Sequence, residues 1–120
     1  MSDGAVPNIE QLVEKNVDGG GSLDLENREL GDEGVAQLSG LEKISQITTL
    51  ILGDNEISDI SAVANLTNLT ELGLNGNQLT DLNGLANANL TSLTQLNLNH
   101  NNLSEVSQLS NLINLTYLSL

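Results

Sequence analysis

Apolar residues recur along the second half of this chain at a fixed spacing. Aligning on them gives "ITTLILGDNEISDISAVANLTN" from Ile47, "LTELGLNGNQLTDLNGLANANLTS" from Leu69, "LTQLNLNHNNLSEVSQLSNLIN" from Leu93 and a partial "LTYLSL" from Leu115. The starts lie 22, 24 and 22 residues apart, the longer interval holding two extra residues near Asn87 to Asn89. Each complete unit is apolar at its positions 1, 4, 6 and 11 and carries Asn at position 9. Alternation around Leu72-Gly73-Leu74 has the period of a strand, with the leucines inward and the intervening residue outward. One such strand cannot bury its apolar face alone, whereas stacked copies form a parallel sheet over a continuous aliphatic core. Ile60, Val63 and Leu66 predict the return along the other side. A 22-residue period leaves little room there for a full α-helix, so extended or 3-10 segments are expected.

Asn55, Asn77 and Asn101 stand where each unit bends out of its strand. A carboxamide both donates and accepts, so these three are read as a structural ladder that satisfies backbone groups buried by the bend. Asn75-Gly76 would by itself suggest a β-hairpin. It falls inside the repeat bend, and the repeat overrides it.

The first half follows a related rule. In "SLDLENRELGDEGVAQL", residues 22–38, Leu23, Leu25 and Leu30 match positions 4, 6 and 11, but Arg28 occupies the Asn position and is expected to face solvent, with substitution for the Asn through its own donors as the alternative. Val35, Leu38 and Leu41 keep helical spacing, and Leu23 lies 27 residues before its equivalent Leu50, which suits a return containing a helix. Upstream, "VPNIEQLVEKN" places Ile9, Leu12, Val13 and Val17 on one helical face, with Pro7 near the first turn and Glu10 and Glu14 outward. The expected domain plan is a helical cap and glycine-rich turn over 1–21, then a solenoid over 22–120. Within it lie one longer repeat (22–46), three repeats (47–114) and a partial repeat (115–120), all in a single structural domain.

The pattern L-x-x-L-x-L-x-x-N-x-L, in three complete copies with the Asn in register, resembles the leucine-rich repeat. The wording of "NEISDIS", "ANLTNLTELGLNGNQLTDL" and "LSNLINLTYLSL" is similar to the 22-residue repeats of bacterial internalin-type proteins, over residues 47–120. "LGDEGVAQL" resembles the helical return of ribonuclease-inhibitor-type repeats. The resemblance implies an α/β fold: a leucine-rich repeat solenoid with a curved parallel β-sheet on the concave face, an N-terminal helical cap and a mostly 3-10 or extended convex side. It also implies that the concave sheet binds a protein partner. Ala62, Gly84 and Gln108 stand where that family often has proline, which leaves each convex turn less rigid.

Composition narrows the chemistry. There is no Phe, Trp or Cys and one Met, so Leu, Ile and Val form the core, and thiolate metal ligation, disulfides and cysteine nucleophiles are excluded. Sixteen acids against Lys15, Arg28 and Lys43 give a net charge of −13, with thirteen of the acids in residues 1–60. That balance argues against nucleic acid and anionic membrane surfaces, which require clustered cations. The N-terminal acids are read as a solubilising face, with docking of a basic partner as the alternative. No segment has the length of a membrane span or the form of a secretory signal, so no membrane insertion and a cytoplasmic location are expected. A secreted effector or surface protein without its leader would read the same.

No catalytic, cofactor or metal site is expected. His100 is the one histidine, in a repeat bend, and no G-x-S-x-G turn marks a nucleophile. Asp18 and Glu29 fit the ends of a calcium loop whose interior, with Gly20, Ser22 and Leu23, lacks the required ligands and glycine. "DGGG" at 18–21 also lacks the Gly-Lys-Ser/Thr ending of a phosphate loop. The Asn-Leu-Thr/Ser sequons at Asn65, Asn68, Asn89, Asn102 and Asn114 follow from the repeat wording.

Strand alternation turns outward Ser22, Asp24 and Glu26, then Thr49, Ile51 and Gly53, then Glu71, Gly73 and Asn75, then Gln95, Asn97 and Asn99, and last Tyr117 and Ser119. Thr49, Ile51, Glu71, Asn75, Gln95, Asn97, Asn99, Tyr117 and Ser119 are the candidate partner-binding residues, with Tyr117 the anchor because hot spots favour aromatics. The function expected is a non-enzymatic module binding a protein of unknown identity. The alternative is a structural or self-assembling module: a homodimer through the edge formed by Leu115, Tyr117, Leu118 and Leu120, or an N-terminal piece of a longer or engineered solenoid.

Overall fold

The computed structural model describes residues 8–16, 21–85, 88–112 and 114–120. Pro7, Val17, Asp18 to Gly20 and Asn87 lie outside them, and with them part of the cap, the calcium-loop and phosphate-loop readings and part of the two-residue insertion.

Helix α1, Ile9–Asn16, forms where Ile9 and Val13 recur one turn apart, and both are buried with Leu12 half-buried beside them. Asn8 caps it, its carboxamide oxygen accepting from the Gln11 N–H at 3.0 Å. Five three-residue strands follow: β1 Ser22–Asp24, β2 Thr49–Ile51, β3 Glu71–Gly73, β4 Gln95–Asn97 and β5 Tyr117–Ser119. They pair in sequence order, all parallel, in one sheet. The register carries each repeat position straight across. Leu23, Leu50, Leu72, Leu96 and Leu118 form one row, flanked by the rows Ser22-Thr49-Glu71-Gln95-Tyr117 and Asp24-Ile51-Gly73-Asn97-Ser119.

The returns differ as the spacing predicts. The longer first return holds α2, Gly31–Ala36, and two 3-10 turns, Leu38–Gly40 and Glu42–Gln46. Val35 and Leu38 are buried and Leu41 is half-buried. Among the described residues each shorter return holds one 3-10 turn, Ser61–Val63, Asn83–Leu85 and Ser107–Asn111. Between sheet and returns lies one aliphatic core, including Leu50, Leu52, Ile57, Ile60 and Val63 in the second coil and Leu72, Leu74, Leu79, Leu82 and Leu85 in the third.

The asparagines couple the coils. The Asn77 side-chain oxygen accepts from the Asn55 N–H at 3.0 Å and the Ile57 N–H at 2.9 Å, while its amide donates to Leu52 O at 3.1 Å and Leu74 O at 3.0 Å. Asn55 likewise accepts from Arg28 and Leu30 and donates to Leu25 O and Gly53 O. Asn101 accepts from the Leu79 N–H and donates to Leu74 O and Leu98 O. Each carboxamide therefore serves the bend of the coil before it as well as its own. Arg28 stands where this ladder begins. Among the described residues β1 is the first strand of the sheet and α1 contacts it, so an Asn at position 28 would have only its own bend to satisfy. The Arg28 residue is exposed.

Two further ties join neighbouring coils. Thr70, Thr94 and Thr116 each donate a hydroxyl to the carbonyl of the equivalent threonine one coil earlier, at 3.1 to 3.2 Å. On the convex side, Asp32 accepts from the Ser58 N–H at 2.8 Å, the Ser58 hydroxyl at 2.5 Å and the Asp59 N–H at 2.9 Å, joining α2 to the second coil. Asn75-Gly76 makes no hairpin. Gly76 takes a left-handed φ of 69° in the bend, and Asp54 and His100 take the same conformation at the equivalent positions without glycine's freedom.

Candidate functional site

The concave face is set by the register. Because every strand is three residues long and in step, positions 3 and 5 of each repeat point to the side away from the leucine row. Thr49, Ile51, Glu71, Asn97 and Ser119 are half-buried there, Gln95 is exposed, and Tyr117 is 57% exposed. Asn75 and Asn99, half-buried in the bends just past their strands, extend this surface.

The sheet brings part of this set together around a shallow depression of about 290 Å³. It is lined by Glu26, Ile51, Glu71, Leu72, Gly73, Asn75, Gln95, Leu96, Asn97 and Tyr117. Its floor exists because Gly73 contributes no side chain between Ile51 on β2 and Asn97 on β4. Thr49, Asn99 and Ser119 lie outside its lining. Glu26 belongs to it; its sequence signal was the same outward alternation that marked the other positions.

Two outward readings change. Gly53 is buried, because the Asn75 carboxamide lies over it: a Cβ placed on Gly53 would be 3.0 Å from the Asn75 side-chain oxygen and nitrogen. Gly73 is also buried, beneath the side chains that wall the depression. Neither offers contact surface of its own; both shape what their neighbours offer.

Asp24, Glu26 and Glu71 give this face carboxylates, and the described residues that line the depression include no Lys, Arg or His. A larger hollow of about 450 Å³ lies among Ser39, Leu41, Ile44, Ile47, Asn65 and Thr67, and the described residues that line it carry no charge. Its apolar lining residues Ile44, Ile47 and Leu66 are part of the core. The concave depression combines charge, carboxamides and an exposed aromatic.

His100 lies exposed in a left-handed bend at φ 60°. Among the described residues, no group of three or more His, Asp or Glu is placed to hold a metal ion, and no helix is long and apolar enough to cross a membrane.

The edge residues form a second surface. Leu118 is 40% exposed and Leu120 61%, whereas their counterparts one coil earlier, Leu96 and Leu98, are 1% and 2%. Leu115 is half-buried. Leu98, His100, Asn101, Leu103, Val106 and Leu120 line a small hollow of about 170 Å³ at this end.

Comparison with known proteins agrees with this architecture. Residues 45–87 match the family of leucine-rich repeats (2 copies). Internalin C2 (inlC2) from Listeria monocytogenes is similar at 30% identity and a TM-score of 0.50, over 82% of this chain and 50% of that one. An internalin (inlF) from the same organism is 30% identical with a TM-score of 0.45, over 71% of this chain and 31% of that one. The chain thus spans a third to a half of the length of these internalins. A search of curated proteins finds no significant match.

Proposed function

Because this chain is a leucine-rich repeat protein with internalin-type repeats, we propose that it is a non-enzymatic interaction module that binds a protein through its concave sheet. Tyr117, Gln95 and Asn97 form the anchor. The observation that carries this reading is the Gly73 depression. It brings together an exposed aromatic ring, two carboxylates and three carboxamides around one depression. Interfaces draw most of their affinity from a few such aromatic-centred contacts, and surrounding residues mainly exclude water. The sheet is small, about 20 Å across five strands at the usual spacing. A partner therefore gains affinity from the quality of this centre more than from buried area.

The test compares variants on the two faces against a partner captured from cell extract. Tyr117→Ala is expected to lower affinity about tenfold or more, with an unchanged thermal melt, while the convex Asn65→Ala leaves affinity intact. Unchanged affinity in Tyr117→Ala, or loss confined to convex variants, overturns the assignment.

A second reading has its own support. The exposure of Leu118 and Leu120 favours pairing of β5 with a second copy, since an open strand edge with apolar neighbours is a template for association. Few acids lie in residues 61–120, so two copies meeting at this end face little charge repulsion. Light scattering from micromolar to millimolar concentration tests it, and a constant monomer mass throughout removes it.

A further inference from the structure

The depression over Gly73 has a chemistry that selects among partners. Glu71 is half-buried, and its carboxylate makes no hydrogen bond or ion pair with any described residue; the Gln95 and Asn75 carboxamides are equally uncommitted. Asn97 uses its oxygen for the Asn99 N–H at 3.0 Å and keeps its amide and a second lone pair. Tyr117 and Ile51 supply the apolar part of the lining. A guest without hydrogen-bond donors would strip water from the Glu71 carboxylate and replace it with nothing, and a neutral donor would leave its charge unbalanced. An anionic guest would meet Glu26 and Glu71 in a chain of net charge −13.

We propose that this depression receives an arginine side chain of the protein partner, its stem over Ile51 and Gly73 and its guanidinium toward Glu71, Gln95 and the Tyr117 ring. Arginine suits the site better than lysine for two reasons. Its planar head presents five donors in fixed directions, matching acceptors spread around the floor on Glu71, Asn75, Gln95 and Asn97, and it stacks on an aromatic ring. The compact, strongly hydrated ammonium of lysine gives up more water and fills fewer of these acceptors. This inference rests on the concave-face reading above and gives it a partner chemistry.

The floor can be raised without breaking the sheet. A Cβ on Gly73 would lie 3.4 Å from Ile51 Cδ1 and 3.7 Å from the Asn75 side-chain oxygen, both ordinary contacts, so Gly73→Ala is compatible with the fold. The experiment titrates the full chain with N-acetyl-arginine amide and, separately, N-acetyl-lysine amide, following backbone amide and tyrosine ring NMR shifts. Saturable shifts at the Gly73 and Gln95 amides and the Tyr117 ring are expected with the arginine amide, at a dissociation constant on the order of 1 mM for so small a ligand. Glu71→Gln should weaken it about tenfold, the loss of a charge-assisted contact, and Gly73→Ala by severalfold. Equal binding of the lysine amide, shifts at Asp54 and Glu105 as large as at Gly73, or no saturation overturns the proposal. No partner is present in this titration. A flat response beside a partner affinity that Tyr117→Ala still lowers therefore removes the arginine and leaves the concave-face function standing.

Discussion

Replacing Asn77 by alanine tests whether the asparagine ladder holds neighbouring coils together. Asn77 is buried and its carboxamide makes five hydrogen bonds, to the N–H groups of Asn55 and Ile57 and the carbonyls of Leu52, Leu74 and Asn75. Truncation leaves two N–H donors without their acceptor, each costing about 1–3 kcal/mol where water cannot replace it. The carbonyls lose less, because a carbonyl tolerates one empty lone pair better than an N–H tolerates none. The expected loss is about 3–4 kcal/mol, a large part of the roughly 5–15 kcal/mol that holds a domain of this kind together. Asn101 supplies the internal control. It is half-buried and accepts one described N–H, that of Leu79, so Asn101→Ala should cost about 1–2 kcal/mol. Urea unfolding followed by circular dichroism reads both. At a slope of about 1.5 kcal/mol per molar, Asn77→Ala should lower the midpoint by roughly 2 M. A reduced slope would mean that the coils on either side have separated into independent units, as weakened coupling in a one-dimensional array allows. If Asn77→Ala costs under about 1 kcal/mol, or no more than Asn101→Ala, the ladder is not what couples the coils.

Other predictions follow from the same geometry. Burial tends to raise the Asp32 carboxyl, but hydrogen bonds from the Ser58 hydroxyl and the Asp59 and Ser58 N–H groups outweigh it and hold the pKa below the ordinary 3.8. A depressed carboxylate stabilises above its unfolded value, so Asp32→Ala should cost about 1 kcal/mol at pH 7 after allowing for solvent, with the gap to wild type closing as pH falls below 3.8. Comparing denaturation midpoints of the two proteins from pH 7 to pH 2 checks this, and a gap that persists at the acid end refutes it. His100 is exposed at a left-handed φ of 60°, so His100→Gly should stabilise by about 0.5–1 kcal/mol, read as a rise in the thermal midpoint. Leu96→Ala should cost about 3 kcal/mol and Leu118→Ala under about 1 kcal/mol in the monomer, since only the first leaves a core cavity. Equal losses in urea would show that the β5 edge is covered in solution.

How much of this was legible before folding depends on whether a feature repeats. The leucine row from Leu23 to Leu118 was readable because periodic burial writes itself into the chain at a fixed interval, and strand register then follows without further information. The returns were readable because 22 residues cannot contain what 27 can. Asn55, Asn77 and Asn101 were visible as a set, yet not the direction in which each works. The Thr70 to Thr116 ties repeat as well, but a hydroxyl just before a strand does not by itself name the carbonyl it reaches. The Asp32 contact with Ser58 occurs once, 26 residues apart, and has no periodic trace.

The sequence by itself determined the solenoid, its sheet and which side chains face the concave surface, because those follow from local periodicity and identical neighbours stacking in step. Tertiary structure alone decided what that surface is. Gly53 looked outward in the alternation and is covered by Asn75 from the next coil, whereas Gly73 became the floor of a depression walled by residues of neighbouring strands. Arg28 makes the same point: its departure from the Asn ladder gains a context only once β1 is found at the edge of the described sheet with α1 against it. Periodicity specifies what every coil shares. What distinguishes one coil from the next depends on which side chains its neighbours bring, and only packing places those together.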